Sequence, residues 1–313
     1  MENECYFVNS RGLLKSCTFH SSKPISSCNT DTKYLFDMIT SNKMFNGMSI
    51  YVCSDLLKFF VNIILPRLKN TFLLVSGDSD LCVPKEILTM IETNNLLNSQ
   101  YLLKWFAQNT RIQNNDKIIQ LPIGLDYHTI HGNPKCKWRI PYEKILPIEQ
   151  ETVLKNINSM SKPFYERILK IYVNFSKNSD RFKQRINSLN IIPKNLMVIN
   201  NEFTPRTNNW KQTSEYTFVL SPFGIGMDCH RTWEALCLGC IPVVCAPDFK
   251  DLFEDLPVLI VNQWSEIDQT LLLNTICKFK QQKFNYDKLS LKYWTNQMNW
   301  INQMNCYKIS GDV

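Results

Sequence analysis

Residues 221–242, SPFGIGMDCHRTWEALCLGCIP, read as a loop, a helix and the start of a strand within one short span. The TFVL before them, 217–220, is a continuous apolar run, the pattern of a strand buried on both faces of a parallel sheet. In SPFGIG, Gly224 and Gly226 permit a tight turn and a close backbone approach to a ligand. Asp228 is the expected N-cap of the helix and Gly239 its C′ residue, after which IPVVC opens another strand. Strand, loop, helix and strand in succession predict a parallel α/β sheet.

At about 100° per residue, His230, Arg231 and Glu234 share one sector of that helix, roughly 100° wide. Trp233, Leu236, Cys237 and Cys229 fill the next sector and are expected on the sheet. A glycine loop leading into a helix offers N–H groups at the positive end of the helix dipole, a setting suited to phosphate. Arg231 adds a fixed cation with a fork of donors for phosphate oxygens. Glu234, one turn on, has acceptors for two vicinal hydroxyls such as those of a ribose. A charged helix face is more often a solvated Arg–Glu pair, but the glycine loop and the buried strand weigh here for a nucleotide. The donor-side candidates are Ser221, Gly224, Gly226, His230, Arg231 and Glu234.

The run DCHRTWEALCLGCIPVV has an Arg, a Glu three residues later and a Gly-Cys-Ile-Pro-Val strand start. It resembles the C-terminal motif of exostosin-like glycosyltransferases. The likeness covers about residues 217–264, DLPVLIV included, and continues more weakly in SGDSD, WFAQN and LPIGLDYHT. The chain is most similar to the compact single-module versions found in large DNA viruses, which lack the animal-type membrane anchor. The resemblance implies a GT-B fold: two Rossmann-like domains whose parallel sheets face an interdomain cleft, with the nucleotide sugar on the C-terminal domain and the acceptor on the N-terminal one. It also implies transfer of a sugar from a UDP- or GDP-sugar to a hydroxyl of a glycan or glycoprotein, with inversion at the anomeric carbon.

The rest of the chain fits two domains, 1–150 and 151–313, each long enough to bury a core. Residues 1–46 are polar and irregular and carry no functional reading. From Met48, MSIYVC reads as a strand, DLLKFFVNIILPRL as a helix and TFLLVSGDSD as a strand with its loop. PKEILTMIETNNLL and the segment around YLLKWFAQN read as helices, and KIIQLPIG as a strand. Open α/β sheets bind ligands at the C-terminal ends of their strands. The loop 76–80 places Gly77, Asp78 and Asp80 there, and the loop 124–128 places Asp126 and His128. A sugar transfer of this kind needs a base for the acceptor's hydroxyl proton. Asp126 is the first candidate and Asp78 the second, with Gly77, Asp80 and His128 as acceptor contacts; the competing reading is that these acids hold turns or cap a helix. Residues 131–161 read as a domain connection, and 168–175 as the first strand beyond it. There Asp180 is a helix cap, while Lys177 and Arg181 stand at a helix start that an anion would better balance. In GT-B proteins this loop faces the donor phosphates. The final helix, 286–303, in GT-B folds crosses back to the first domain.

Hydrophobic residues make up 44% and charged residues 20% of the chain, the balance of a soluble globular protein. The net charge of +7 is spread along the sequence without a Lys/Arg block, which speaks against nucleic acid and suits a diphosphate-binding cleft. The most apolar helical stretch, 56–68, is interrupted by Lys58, Asn62 and Pro66 and is too short to span a bilayer. No basic-then-apolar leader is visible, so the expected compartment is the cytoplasm, that of the host for a viral protein. The twelve cysteines are then expected as reduced thiols, and Cys237 and Cys240 as buried structural ones. No cofactor is expected. A metal is not needed either, although Asp78-Ser79-Asp80 has the spacing of a cation-holding motif. A nicotinamide-dependent enzyme is disfavoured because Gly224-Ile-Gly226 is not completed to GxGxxG. The other reading kept is a catalytically inactive nucleotide- or glycan-binding module of the same fold.

Overall fold

A computed structural model describes residues 1–22, 31–41, 43–112, 115–133, 135–140 and 145–298. The fold is mixed α/β with two separate parallel sheets, of four and five strands. The chain divides into two units, one of Met1–Asn9 with Gly124–Ser290, the other of Ser10–Ile123 with Leu291–Val313. The division falls at residue 124 where the sequence suggested 150, and the first nine residues join the later unit. Part of the expected connection, 141–144, and the end of the expected last helix, from 299 on, lie outside the described residues.

The unit built from Ser10–Ile123 holds β1 (Met48–Cys53), β2 (Phe72–Gly77), β3 (Leu102–Ala107) and β4 (Ile118–Gln120), in the order β1-β2-β3-β4. Every residue of β1 and β2 is buried, which is why both read as unbroken apolar runs. Their pairing runs from Met48 opposite Phe72 to Cys53 opposite Gly77. The segment around Trp105 is a strand, not the expected helix. It pairs with β2, and the buried Trp105 indole donates to Ser76 Oγ at 2.8 Å. The helix expected from Pro84 begins only at Met90. Its start is set by a capping box in which Thr89 Oγ1 accepts from the Glu92 N–H and the Glu92 carboxylate accepts from the Thr89 N–H. Residues 291–298 are helical and belong to this unit.

The other unit holds β5 (Ile168–Val173), β6 (Met197–Ile199), β7 (Tyr216–Leu220), β8 (Ile241–Val244) and β9 (Leu259–Ile260). Their order is β6-β5-β7-β8-β9, so the sheet grows to one side of β5 and then to the other. Helices Gln184–Ile191, Arg206–Thr213 and His230–Cys237 make the crossovers after β5, β6 and β7. The core gathers Ile171, Val173, Phe218, Leu220, Ile241 and Val243 from the three central strands. The helix His230–Cys237 ends as the sequence suggested. Gly239 has φ +74°, its N–H bonds the Leu236 carbonyl, and the Cys240 N–H bonds the Ala235 carbonyl. Its start differs. Cys229 is the N-cap, and the Asp228 carboxylate instead accepts from the Trp233 indole at 2.9 Å.

The N-terminal arm has an anchor that its composition did not reveal. The buried Glu151 carboxylate accepts from the Tyr6 N–H (3.0 Å), the Phe7 N–H (2.9 Å) and the Tyr127 hydroxyl (3.2 Å), and pairs with Lys155 at 2.6 Å. Beyond it, Val8 bonds Leu289 and Leu125 through backbone groups. Glu151→Ala strands one buried and one partly buried backbone donor, so a loss of about 2–3 kcal/mol is expected. Limited proteolysis should then cut within residues 1–9 at a denaturant concentration where the wild type is protected. Equal protection of the two proteins would refute the anchoring role.

Candidate functional site

A parallel sheet places the ends of all its strands on one edge, and the ligand crevice forms where the strand order reverses. In the five-stranded sheet that point lies between β5 and β7. The residues that follow them are 174–183 after β5 and 221–229 after β7, and the two loops are joined directly: the Arg181 N–H donates to the Gly224 carbonyl at 3.1 Å. Lys177, Arg181, Ser221, Gly224, Gly226, His230, Arg231 and Glu234 are therefore brought to one edge of one sheet.

Arg231 does not pair with Glu234. Its Nε donates to Asn174 Oδ1 at 3.0 Å, and its guanidinium lies 5.3 Å from the centre of the Phe175 ring. Glu234 is half-buried, and among the described residues its carboxylate has no hydrogen-bond or ion-pair partner. A second guanidinium, which the sequence reading passed over, stands on the same phenyl ring: Arg185 lies 5.4 Å from the Phe175 centroid. Arg185 is 7% exposed, donates through Nη1 to the Ser176 carbonyl at 2.8 Å, and has a buried Nε with no partner. Among the described residues neither arginine meets a carboxylate. Burial and the neighbouring Arg185 charge lower the Arg231 guanidinium to about 10. Two like charges in a partly desolvated space call for an anion.

The glycine loop serves this arrangement in a way the sequence did not predict. A Cβ on Gly224 would run into the Arg185 guanidinium, so the close approach that glycine permits here is to an arginine of the chain. Gly224 and Gly226 also bond each other, N–H to carbonyl, at 3.0 Å. The Ser221 hydroxyl shares a 2.7 Å hydrogen bond with Thr232 and holds loop to helix. Asp180 is not the N-cap, a position that falls to Lys183, but its two oxygens accept from the first-turn N–H groups of Arg185 (3.0 Å) and Ile186 (2.8 Å). Lys177 and Arg181 are exposed.

Asp126 and His128 lie in the same unit as this edge. Asp126 is 7% exposed and both its oxygens are occupied: Oδ2 by Arg206 Nη2 at 2.8 Å, Oδ1 by the Thr129 N–H at 3.0 Å and by His128 Nδ1 at 3.3 Å. Arg206 also bonds the Asp126 carbonyl and Gln150 Oε1, and stacks near Trp138 and Trp210. Burial raises the proton affinity of Asp126. The charges of Arg206, His128 and His230, with the Thr129 N–H, outweigh it and hold the carboxyl well below the usual carboxylate range. A group so reluctant to take a proton is a poor general base. His230 Nδ1 donates to the Gly124 carbonyl at 2.7 Å, and its ring meets that of His128 edge-on, with centroids 6.3 Å apart.

In the other unit the second acid is tied up in the same way. Asp78, with φ +57°, pairs with Arg11 Nη1 at 3.0 Å, and its N–H bonds Gln108 Oε1 at 3.2 Å. Gly77 ends β2 where a side chain would strike Gln108 and the Tyr51 hydroxyl, and Asp80 follows, half-buried. Among the described residues no three His, Cys, Asp or Glu side chains are grouped to hold a metal ion, and no helix is long and apolar enough to cross a membrane. Cys237 and Cys240 are buried free thiols; burial, only partly offset by Arg167, pushes the Cys240 thiol up to about 12.

Arg185 and Arg206 were missed, yet each left a trace. Both sit in the first turn of a helix, where a cation opposes the dipole, the same signal that drew attention to Arg181. No family model and no curated protein matches the chain.

The Asp126–Arg206 pair has a pH signature. A carboxylate whose folded value is depressed adds stability above its unfolded value, about 3.9, and loses it as pH falls toward the folded value. Asp126→Asn should cost about 3 kcal/mol at pH 7, since it leaves Arg206 without its counter-charge. The gap between the two unfolding free energies should narrow steadily below pH 4; a gap independent of pH would show that the pair contributes little.

Proposed function

We propose that the chain is a glycosyltransferase of the GT-B type, resembling the exostosin-like enzymes, and that it transfers a sugar from a UDP- or GDP-sugar to a hydroxyl of a glycan or glycoprotein in the cytoplasm. The observation that carries this reading is the pair Arg185 and Arg231, two guanidiniums without a carboxylate at the strand-order reversal of a parallel sheet. Fixed cations aimed at a diphosphate stabilise the charge that develops on it as the glycosidic bond breaks. That stabilisation is what a divalent cation would otherwise supply. The N-terminus of the helix His230–Cys237, which has no side-chain cap, adds donors from the same direction. Glu234, half-buried and unpaired one turn on, is suited to the ribose hydroxyls, and Lys177 and Arg181 to the outer phosphate oxygens. His230 lies beside the diphosphate or the sugar. The loop of Asp126 and His128, in the same unit as this edge, is the proposed acceptor contact.

One observation favours the second reading, an inactive nucleotide- or glycan-binding module: each acid expected to act as base is ion-paired with a buried arginine. Nucleotide binding is common to both readings and is the first thing to measure.

UDP or GDP at about 100 times Kd should stabilise the protein by about 2.7 kcal/mol. Arg231→Gln and Arg185→Gln should each weaken binding about 30-fold or more, which corresponds to a charged hydrogen bond of about 2 kcal/mol. Thermal melts against UDP, GDP, CMP, ADP and NAD supply the comparison. A shift with NAD alone, or with no nucleotide, would remove the transferase reading.

A further inference from the structure

Large apolar side chains stand exposed singly on any protein surface, but neighbouring aromatic rings on a rigid support mark a binding surface. Trp138 is 40% and Phe203 54% exposed, and both belong to the unit that carries the anion edge. Phe203 lies in the loop that leaves β6, the strand paired with β5, and so at the same edge of the sheet as Asn174 and Phe175. We propose that Trp138 and Phe203 form a stacking platform for the pyranose rings of a glycan; that this glycan is the acceptor rests on the reading of the chain as a sugar transferase.

The support of Trp138 is a chain of specific bonds. Its carbonyl accepts from the Arg206 N–H at 2.8 Å, and the Arg206 guanidinium lies over its ring, 5.7 Å from the centroid. That guanidinium is itself held by Asp126 Oδ2 at 2.8 Å and by Gln150 Oε1 at 3.1 Å. With a cation over one face, the solvent-exposed part of the indole is its other face and its edge. Phe203 is joined to the same place: it precedes Arg206 by one turn's length of chain, and the Lys137 ammonium lies 5.3 Å from its ring centroid. Rings already ordered in this way lose little freedom when a ligand stacks on them.

The chemistry around the rings matches a sugar. A pyranose presents C–H groups on one face, which pack on an aromatic plane, and hydroxyls around its rim, which need donors and acceptors. Among the described residues the Trp138 indole N–H, the Lys137 ammonium and the Glu202 carboxylate have no hydrogen-bond partner, so both kinds are on offer beside the rings. The pair Asp126–Arg206 supports the platform and also holds the loop of Asp126 and His128. A glycan laid across Trp138 and Phe203 therefore lies on the same support as the loop proposed as the acceptor contact.

The test is saturation-transfer NMR with lactose, cellotriose, mannotriose and triacetylchitotriose at millimolar concentration, with thermal melts against UDP and GDP beside it. At least one of these glycans should bind the wild type, with saturation strongest on the C–H protons of one ring face. Phe203→Ala and Trp138→Leu should each weaken that binding about 10-fold, whereas Trp138→Tyr, which keeps a flat ring, should stay within about threefold of wild type. The nucleotide-induced melting shift should be unchanged in all three variants. No saturation of any of these glycans by the wild type overturns the platform, as does equal affinity in Trp138→Leu and Trp138→Tyr. Loss of the UDP or GDP shift in Trp138→Leu overturns it too, since the ring would then belong to the nucleobase. If glycan binding depends on the two rings while the wild type shows no shift with UDP or GDP, the platform stands and the transferase reading falls.

Discussion

Two guanidinium groups share one phenyl ring at the edge of a parallel sheet with no carboxylate between them, and much of the surrounding structure exists to keep them there. Arg185 is held by the Ser176 carbonyl and Arg231 by Asn174, both on the loop that leaves β5. Gly224 lacks a side chain where the Arg185 guanidinium passes, and Asp180 fixes the start of the helix from which Arg185 projects. Like charges in a partly desolvated space repel, and the more distant Glu234 carboxylate offsets that repulsion only in part. An arrangement that costs stability and is maintained by so many specific contacts is the ground on which an anion site is proposed here.

The acids follow the opposite logic. Asp126 and Asp78 both end up against arginines, Arg206 and Arg11, and both pairs are buried. Removing either partner would strand a charge, so these pairs hold their loops in place. The loop of Asp126 is held most firmly, since the acid also accepts from the first turn of the helix that His128 opens. Rigidity of that kind disqualifies a group as a proton acceptor and suits it to orient one.

The division of the chain has a similar physical origin. The first nine residues join the later unit because the buried Glu151 needs donors that its own helix cannot give, and the N–H groups of Tyr6 and Phe7 supply them. The left-handed Gly124 completes this link by letting the arm's backbone pass where a side chain would strike the Val8 carbonyl.

Periodicity and punctuation in the sequence were enough to determine the α/β class, the strands β1, β2, β5, β7 and β8, the helix His230–Cys237 and its glycine stop. Each depends on neighbours within a few residues along the chain. Where propensity and pairing competed, local reading failed: around Trp105 an apolar, aromatic segment became a strand because β2 offered it a ladder. The candidate site was legible to the same extent. Arg231, Glu234 and the glycine loop announce themselves within one motif. Arg185 and Arg206 do not, because each is defined by a partner far away in sequence: Gly224 for Arg185, and for Arg206 a carboxylate 80 residues back. Electrostatics acts through space, so the sequence could name which charges the chain carries, and only the tertiary structure decided which of them meet an opposite charge and which do not.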